Sequence, residues 1–268
     1  MKNEQGGLLV DLMKKANQIR KEVVDVCVKN RAGHIAPSLS CVDILVALYY
    51  KTMNSDDKLV FSKSHGCYGL YAILADLGHM PKEEWKNFYN GSSLTGCSER
   101  RVEYGVEAGC GSLGHGLPQA VGIAFGAKLQ GKKFTTYCIV GDGEMQEGSN
   151  WEAVQFAVKH ELSNLIVIVD ENGLQAMDFI DNIMSVKYER HDLKKKFEAF
   201  GCFVEECDGH KLDDIISKID GCHHKYKPKV LIADTIKGYG LTCMENVPKF
   251  HFRIPSEEEL GRGNRYDN

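Results

Sequence analysis

Two short stretches of this sequence carry residue types that can hold a cation against a phosphate. Gly141-Asp142-Gly143-Glu144 closes one apolar run, and Asp170-Glu171-Asn172 closes the next, with Asp142 and Asn172 thirty residues apart. A carboxylate and an amide oxygen at neighbouring strand ends suit a small hard cation. Mg2+ takes near-octahedral oxygen, usually from one or two protein groups plus the phosphates of a ligand. The glycines flanking Asp142 let main-chain N–H groups approach a phosphate, and the N-terminus of a following helix is electropositive. Glycine-flanked aspartates occupy many turns. The combination of that turn with a helix, an apolar strand and then an Asn is far more specific, and the chemistry it predicts is binding of a Mg2+-diphosphate.

These residues need a frame to bring them together. Residues 8–29 repeat apolar side chains at three and four, an amphipathic helix. Residues 31–37 read as a break, Ser38 or Ser40 as a cap, and 42–51 as a second helix. An apolar run at 59–61 reads as a strand, followed by helices at 67–77 and from Pro81 through Phe88. Residues 90–116 hold seven glycines and little periodicity, a long functional loop. A helix is expected at 117–129. Strands are then expected at 134–140, 165–169, 202–205 and 230–233, alternating with helices at 150–159, 193–200 and 211–219. Continuous apolar strands alternating with helices predict an α/β fold: an open, mostly parallel sheet covered by helices on both faces. In such sheets ligands sit beyond the carboxyl ends of the strands, where both oxygen-bearing stretches fall. No repeat or linker interrupts the 268 residues, which read as one domain.

Composition narrows the function. Apolar residues make up 43% and charged residues 26%, as in ordinary globular proteins, and the net charge is −4. That balance argues against electrostatic capture of nucleic acid or of an anionic membrane surface. The longest apolar run, 44–50, is far short of the roughly 20 residues of a membrane span. The N-terminus lacks the apolar core of a secretory signal, so ten cysteines point to free thiols in a reducing cytoplasm. Cys202, Cys207, His210, Cys222, His223 and His224 cluster in sequence, but no pair has the two-residue spacing of a structural zinc site.

The stretch GDGEMQEGSNWEAVQFAVKHELSNLIVIVDENGLQ resembles the thiamine-diphosphate-binding motif throughout. GHIAPSLSCVDILVALYY, FSKSHGCYGLYAILADLG, GSLGHGLPQAVGIAFGAKL and ADTIKGYGLTCMENVPKFH occur in the order found in transketolases, so five segments across residues 8–251 are similar to that family. The whole chain, 1–268, resembles the N-terminal diphosphate-binding (PP) domain of a transketolase, without the pyrimidine-binding and C-terminal domains. The resemblance implies thiamine diphosphate with Mg2+ (or Ca2+ or Mn2+) as cofactors. It also implies a separately encoded C-terminal subunit carrying the pyrimidine-binding domain, two chains of each kind in the assembly, and sugar or sugar-phosphate substrates. The cofactor would lie at the seam between the two kinds of chain, so this chain would hold the diphosphate without activating the cofactor alone.

The resemblance also implies roles. Asp142, Asn172 and the carbonyl of Leu174 match the metal ligands. Gly141, Gly143 and Glu144 match the diphosphate cradle, and Gly111 and Leu113 the main chain against the aminopyrimidine. His65 matches a histidine beside the diphosphate and reaction centre. His34 matches one that contacts substrate oxygens and moves protons, a task imidazole suits because its pKa lies near working pH. His251 matches a histidine near diphosphate and substrate, although Phe250-His251-Phe252 departs from the commoner Trp-His-Gly. Lys237 is expected to face the cofactor phosphates, and Glu147 to lie at a subunit interface. His115 stands where Gln is common.

One departure bears on the substrate. Cys97 stands where the family has the histidine of Gly-His-Pro, which contacts the hydroxyl on the donor's terminal carbon, and a thiol is a poor hydrogen-bond donor. The expected reaction is transfer of a two-carbon ketol unit from a ketose-type donor to an aldehyde. The competing reading, kept open by Cys97, is acyl or acyloin transfer from a 2-oxo acid, and a third is a non-catalytic scaffold that binds the cofactor.

Overall fold

A computed structural model of the chain describes residues 2–176, 178–184, 192–221, 224–261 and 263–264. Helix α1 (Lys2–Asn30) leads into the short α2 (Ile35–Leu39) and α3 (Val42–Ala47), which continues as a wider turn, Leu48–Thr52. Strand β1 (Lys58–Phe61) is followed by α4 (Tyr68–Asp76) and α5 (Lys82–Lys86). After the long loop come α6 (Gly116–Leu129), β2 (Thr136–Gly141), α7 (Gly148–Lys159) and β3 (Leu165–Glu171). The chain closes with α8 (Ile180–Ile183), α9 (Asp192–Phe200), β4 (Phe203–Asp208), α10 (Leu212–Gly221), β5 (Lys229–Asp234) and α11 (Glu257–Leu260).

The five strands form one sheet in the order β1-β2-β3-β5-β4, and every pairing is parallel. The continuous apolar strands divide by strict alternation. Tyr137, Ile139, Ile166, Ile168, Leu231 and Ala233 face a core shared with α1, α3, α4 and α10. Cys138, Val140, Val167, Val169, Val230 and Ile232 face the opposite core, shared with α6, α7 and α9. Both faces are therefore covered, which is why β2 and β3 are buried at every position. No helix among the described residues is long and apolar enough to cross a membrane.

Several local expectations shift. The expected break at 31–37 contains the start of α2. Neither Ser38 nor Ser40 caps α3; Cys41 precedes it, and the Ser40 hydroxyl instead bonds the carboxylate of Asp170, 2.7 Å away. Strand β2 starts two residues later than expected and includes Gly141, because Gly141 pairs with Asp170 on β3. Edge strand β4 runs to Asp208, past the apolar stretch that marks it in the sequence, held by its ladder to β5 rather than by burial.

Candidate active site

The register places Gly141 opposite Asp170 and Asp170 opposite Ala233, so β2, β3 and β5 end side by side. The turn after β2 is tied to the turn after β3 by Asp142. One of its carboxylate oxygens accepts the N–H of Gly143 (2.8 Å), and the other accepts that of Gly173 (2.6 Å). Asn172 turns its amide oxygen to the N–H of Leu174 (3.1 Å). Asp142 is 6% exposed, and burial, reinforced by the charge of Asp170, pushes its carboxyl up to about 6.

Asp170 itself is fully buried. Burial alone would raise it, but the Lys63 ammonium and the hydroxyls of Thr235 and Ser40 hold it below the usual carboxylate range. Lys63 also donates to the carbonyl of Pro37 (2.7 Å) and to Ser40 (2.8 Å). This network ties α2 and the segment after β1 to the strand ends. Lys63 has no role of its own in the Ser62-Lys63-Ser64-His65 motif as sequence; nothing in the spacing pairs it with Asp170.

A cavity of about 320 Å3 opens over these strand ends. It is lined by His34, His65, His251, Lys237, Leu113 and Glu147, together with Gly141 through Glu144, Asn172 and Leu174. Of the residues given a role from the sequence, Gly111 and Cys97 alone are outside that lining. They pack on each other, with a Cβ at Gly111 3.6 Å from that of Cys97. Cys97 is half-buried, its carbonyl accepts the Tyr71 hydroxyl (2.9 Å), and its neighbour Ser98 bonds Ser64, next to His65. Besides Lys63, the sequence reading misses two polar lining residues, Gln146 and Gln175. Gln175 crowds Gly143, where a Cβ would stand 2.9 Å from its own.

Glu144 is turned inward. Its carboxylate accepts the Ser62 hydroxyl and the N–H groups of Gly114 (3.1 Å) and Gly141 (3.2 Å), while burial raises its pKa. It braces the turn and the long loop from beneath. Gly116 is the close approach that permits this, since a Cβ there would collide with the Ser62 side chain.

The three histidines form one cluster. The ring of His34 lies 5.0 Å from that of His65 and 5.4 Å from that of His251. Burial, then the neighbouring His65 and Lys237, lowers His34 to about 4; burial and Lys237 lower His251 to about 3, and burial lowers His65. All three are uncharged near neutral pH. Nδ1 of His34 is buried and makes no hydrogen bond within the protein. Lys237 donates to the carbonyls of Leu174 (3.3 Å) and Gln175 (3.1 Å) and to Nδ1 of His251 (2.8 Å). Burial and the charge of Lys63 lower its ammonium to about 7.

The donor set fits a hard cation. Asp142 carboxylate, Asn172 amide and Leu174 carbonyl are all oxygens, each with a lone pair beyond its present hydrogen bond. The zinc-like sequence cluster does not assemble: no group of three or more His, Cys, Asp or Glu side chains among the described residues could hold a metal. His210 bonds Asp43 instead, and Cys222 and His223 lie outside the described residues.

Comparison with known proteins agrees with this geometry. The family described as "Transketolase, thiamine diphosphate binding domain" matches residues 12–261. One of the two subunits of an apulose-4-phosphate transketolase from Actinobacillus succinogenes is 39% identical over 93% of both chains. A 6-deoxy-6-sulfo-D-fructose transketolase subunit of a Clostridium species is 35% identical over 93% of both. Transketolase from Campylobacter jejuni superimposes with a TM-score of 0.83 at 30% identity, covering 92% of this chain and 41% of that one. The chain thus spans about two fifths of the full-length transketolase, but nearly the whole of the subunit-type relatives. A parallel sheet with this turn pairing, matched over almost its full length, makes the chain a member of the transketolase family, of the type that forms the thiamine-diphosphate-binding domain.

Proposed function

We propose that this chain works as the N-terminal, cofactor-binding subunit of a two-subunit, thiamine-diphosphate-dependent transketolase. It transfers a two-carbon ketol unit from a ketose-type donor to an aldehyde acceptor. The observation that carries this reading is the convergence of Asp142, Asn172, Leu174, Lys237 and three uncharged histidines on one cavity at the ends of β2, β3 and β5. Residues 1–268 act as one PP-type domain. The relatives named as transketolase subunits support a separate partner, carrying the pyrimidine-binding domain, in an assembly of two chains of each kind. Their names also support a phosphorylated or sulfonated ketose as the substrate class. The free thiols among the described residues fit a reducing cytoplasm.

Asp142, Asn172 and the Leu174 carbonyl would hold Mg2+, and the Gly141–Glu144 turn, His65 and Lys237 the diphosphate. Thiamine diphosphate, when bound, supplies the carbanion that cleaves and re-forms the carbon–carbon bond. The chain's own residues supply position and proton traffic. Gly111 and Leu113 present main chain to the aminopyrimidine. His34, with Nδ1 unpartnered, accepts a hydrogen bond from a substrate hydroxyl and can take its proton. His251, bonded to Lys237, presents its other ring nitrogen to the substrate side. Cys97 lies on the donor side, and exposed Glu147, at the start of α7, faces the partner.

Assay of the complex co-purified with its partner, on ketose phosphates against pyruvate, tests the reading. Ketol transfer from a ketose is the expected result; turnover of pyruvate alone would replace it with the acyl-transfer reading. Unchanged turnover after His34→Ala would make the chain a scaffold.

A further inference from the structure

Lys237 reaches the cavity from the segment after β5, and that segment is gripped from behind. Ile236, its neighbour, donates its main-chain N–H to Nε2 of His210 at 2.8 Å. A ring nitrogen that accepts carries no proton, so the proton of this imidazole sits on Nδ1, 2.9 Å from the Asp43 carboxylate that accepts it. The same carboxylate oxygen accepts from the guanidinium of Arg20 on α1, and both side chains are buried. Tyr239 closes the arrangement. Its ring stacks on His210 at 3.6 Å between centroids and 13° between planes, while the Arg20 guanidinium lies 4.9 Å over it. The main chain of Lys237 and Gly238 is fixed on its other sides as well. Gly238 donates to the carbonyl of Ala36 (3.0 Å), and Asn246 donates to that of Lys237 (2.9 Å).

We propose that His210, oriented by Asp43 and Arg20, is a positioning residue that sets the Lys237 side chain in the cofactor cavity through the Ile236 N–H. Helices α1 and α3, the turn after β4 and the turn after β5 are thereby joined by one chain of hydrogen bonds ending at a cavity lysine. The arrangement follows the logic by which a carboxylate fixes the ring of a histidine whose other nitrogen has work to do. Here that nitrogen fixes a main-chain N–H rather than a metal. The part of the proposal that concerns cofactor affinity rests on the functional reading above; the part that concerns Lys237 placement does not.

Three measurements test it. Nitrogen NMR of the unmodified chain should show His210 as the Nδ1–H tautomer, and the Nε2–H tautomer would overturn the relay without any variant having to fold. In His210→Phe, which keeps the stack on Tyr239, Lys237 should acylate with acetic anhydride about tenfold faster than in the parent chain, while buried Lys63 keeps its rate. Equal Lys237 rates in both proteins would overturn the proposal. With the partner chain present, calorimetry with thiamine diphosphate and Mg2+ should show the dissociation constant rising about tenfold in His210→Phe. The double variant His210→Phe/Lys237→Met should bind no more weakly than Lys237→Met alone, because the two act through one contact. Additive losses would assign His210 a merely structural role and overturn the proposal. Should the parent complex bind no thiamine diphosphate, the functional reading fails while the tautomer and acylation results still judge the relay.

Discussion

Lys237 Nζ and His251 Nδ1 lie 2.8 Å apart, a buried amine donating to a buried imidazole. Neither carries its ordinary affinity for a proton: burial, then Lys63, brings Lys237 to about 7, and burial, then Lys237, brings His251 to about 3. The sign follows from proton counting. Between pH 7 and the ordinary lysine range near 10.5, the unfolded chain holds a proton on Lys237 that the folded one has released, so stability rises with pH across that window. Lys237→Met should remove this rise. Melting temperatures of the cofactor-free chain from pH 7 to 10 should climb in the parent and stay flatter in the variant; parallel curves would mean that Lys237 is not shifted.

Asp142 predicts the acid side of cofactor binding. Its carboxyl titrates at about 6 in the folded chain, and a cation needs it ionised. Affinity for Mg2+ with thiamine diphosphate should therefore be level above pH 6 and fall on the order of tenfold per pH unit below it, one proton competing with one ion. Asp142→Asn should abolish the Mg2+-dependent part of binding. It should also leave the cofactor-free chain at least as stable as the parent near neutral pH, since an uncompensated buried carboxylate is removed. Calorimetry and thermal melts read both; retained Mg2+ dependence would remove Asp142 from the ligand set.

The ends of β2 and β3 are legible in the sequence because glycine, carboxylate and amide at a strand terminus have few other uses, and because apolar runs of five to seven residues between helices admit one kind of sheet. The sheet order is less legible: β5 inserts between β3 and β4, and nothing local in Val230 to Ala233 says which neighbour it takes. The buried partners are not legible at all. Ser40 has the sequence context of a helix cap and Lys63 that of a solvated motif residue, yet both are committed to Asp170, 130 and 107 residues away. Such pairings are set by the fold, and local spacing does not encode them. For the same reason His210, as sequence, is marked only by its nearness to other zinc-ligating residue types.

Glycines on α6 make a matched pair of predictions. At Gly116 an added Cβ would overlap Ser62, whose hydroxyl supports Glu144, whereas at Gly122 it would meet nothing within 4 Å. Gly116→Ala should destabilise the chain by about 1–3 kcal/mol, as overpacking does. Gly122→Ala should stabilise it by up to about 1 kcal/mol through helix propensity. Urea unfolding of the chain without its partner measures both, and equal effects would contradict the packing of Gly116 on Ser62.

Phe252 and Cys97 predict where substrate choice resides in this half of the enzyme. Phe252 is 69% exposed, yet its ring packs edge-on 5.3 Å from that of His34, at the rim of the cavity. An exposed ring contributes little to folding, so Phe252→Gly should change stability by no more than about 0.5 kcal/mol. The same ring walls the approach to His34, so the substitution should shift kcat/KM between donors that differ in bulk near the reacting carbon by about tenfold. Cys97, beside the Ser98–Ser64 pair that leads to His65, offers no strong donor. Cys97→His should raise kcat/KM for an unmodified ketose phosphate by up to about tenfold, the worth of one hydrogen bond, and leave cofactor affinity unchanged. Steady-state assays of the assembled complex on a panel of ketoses decide the matter. If neither substitution alters the ranking of donors, their selection belongs to the partner chain.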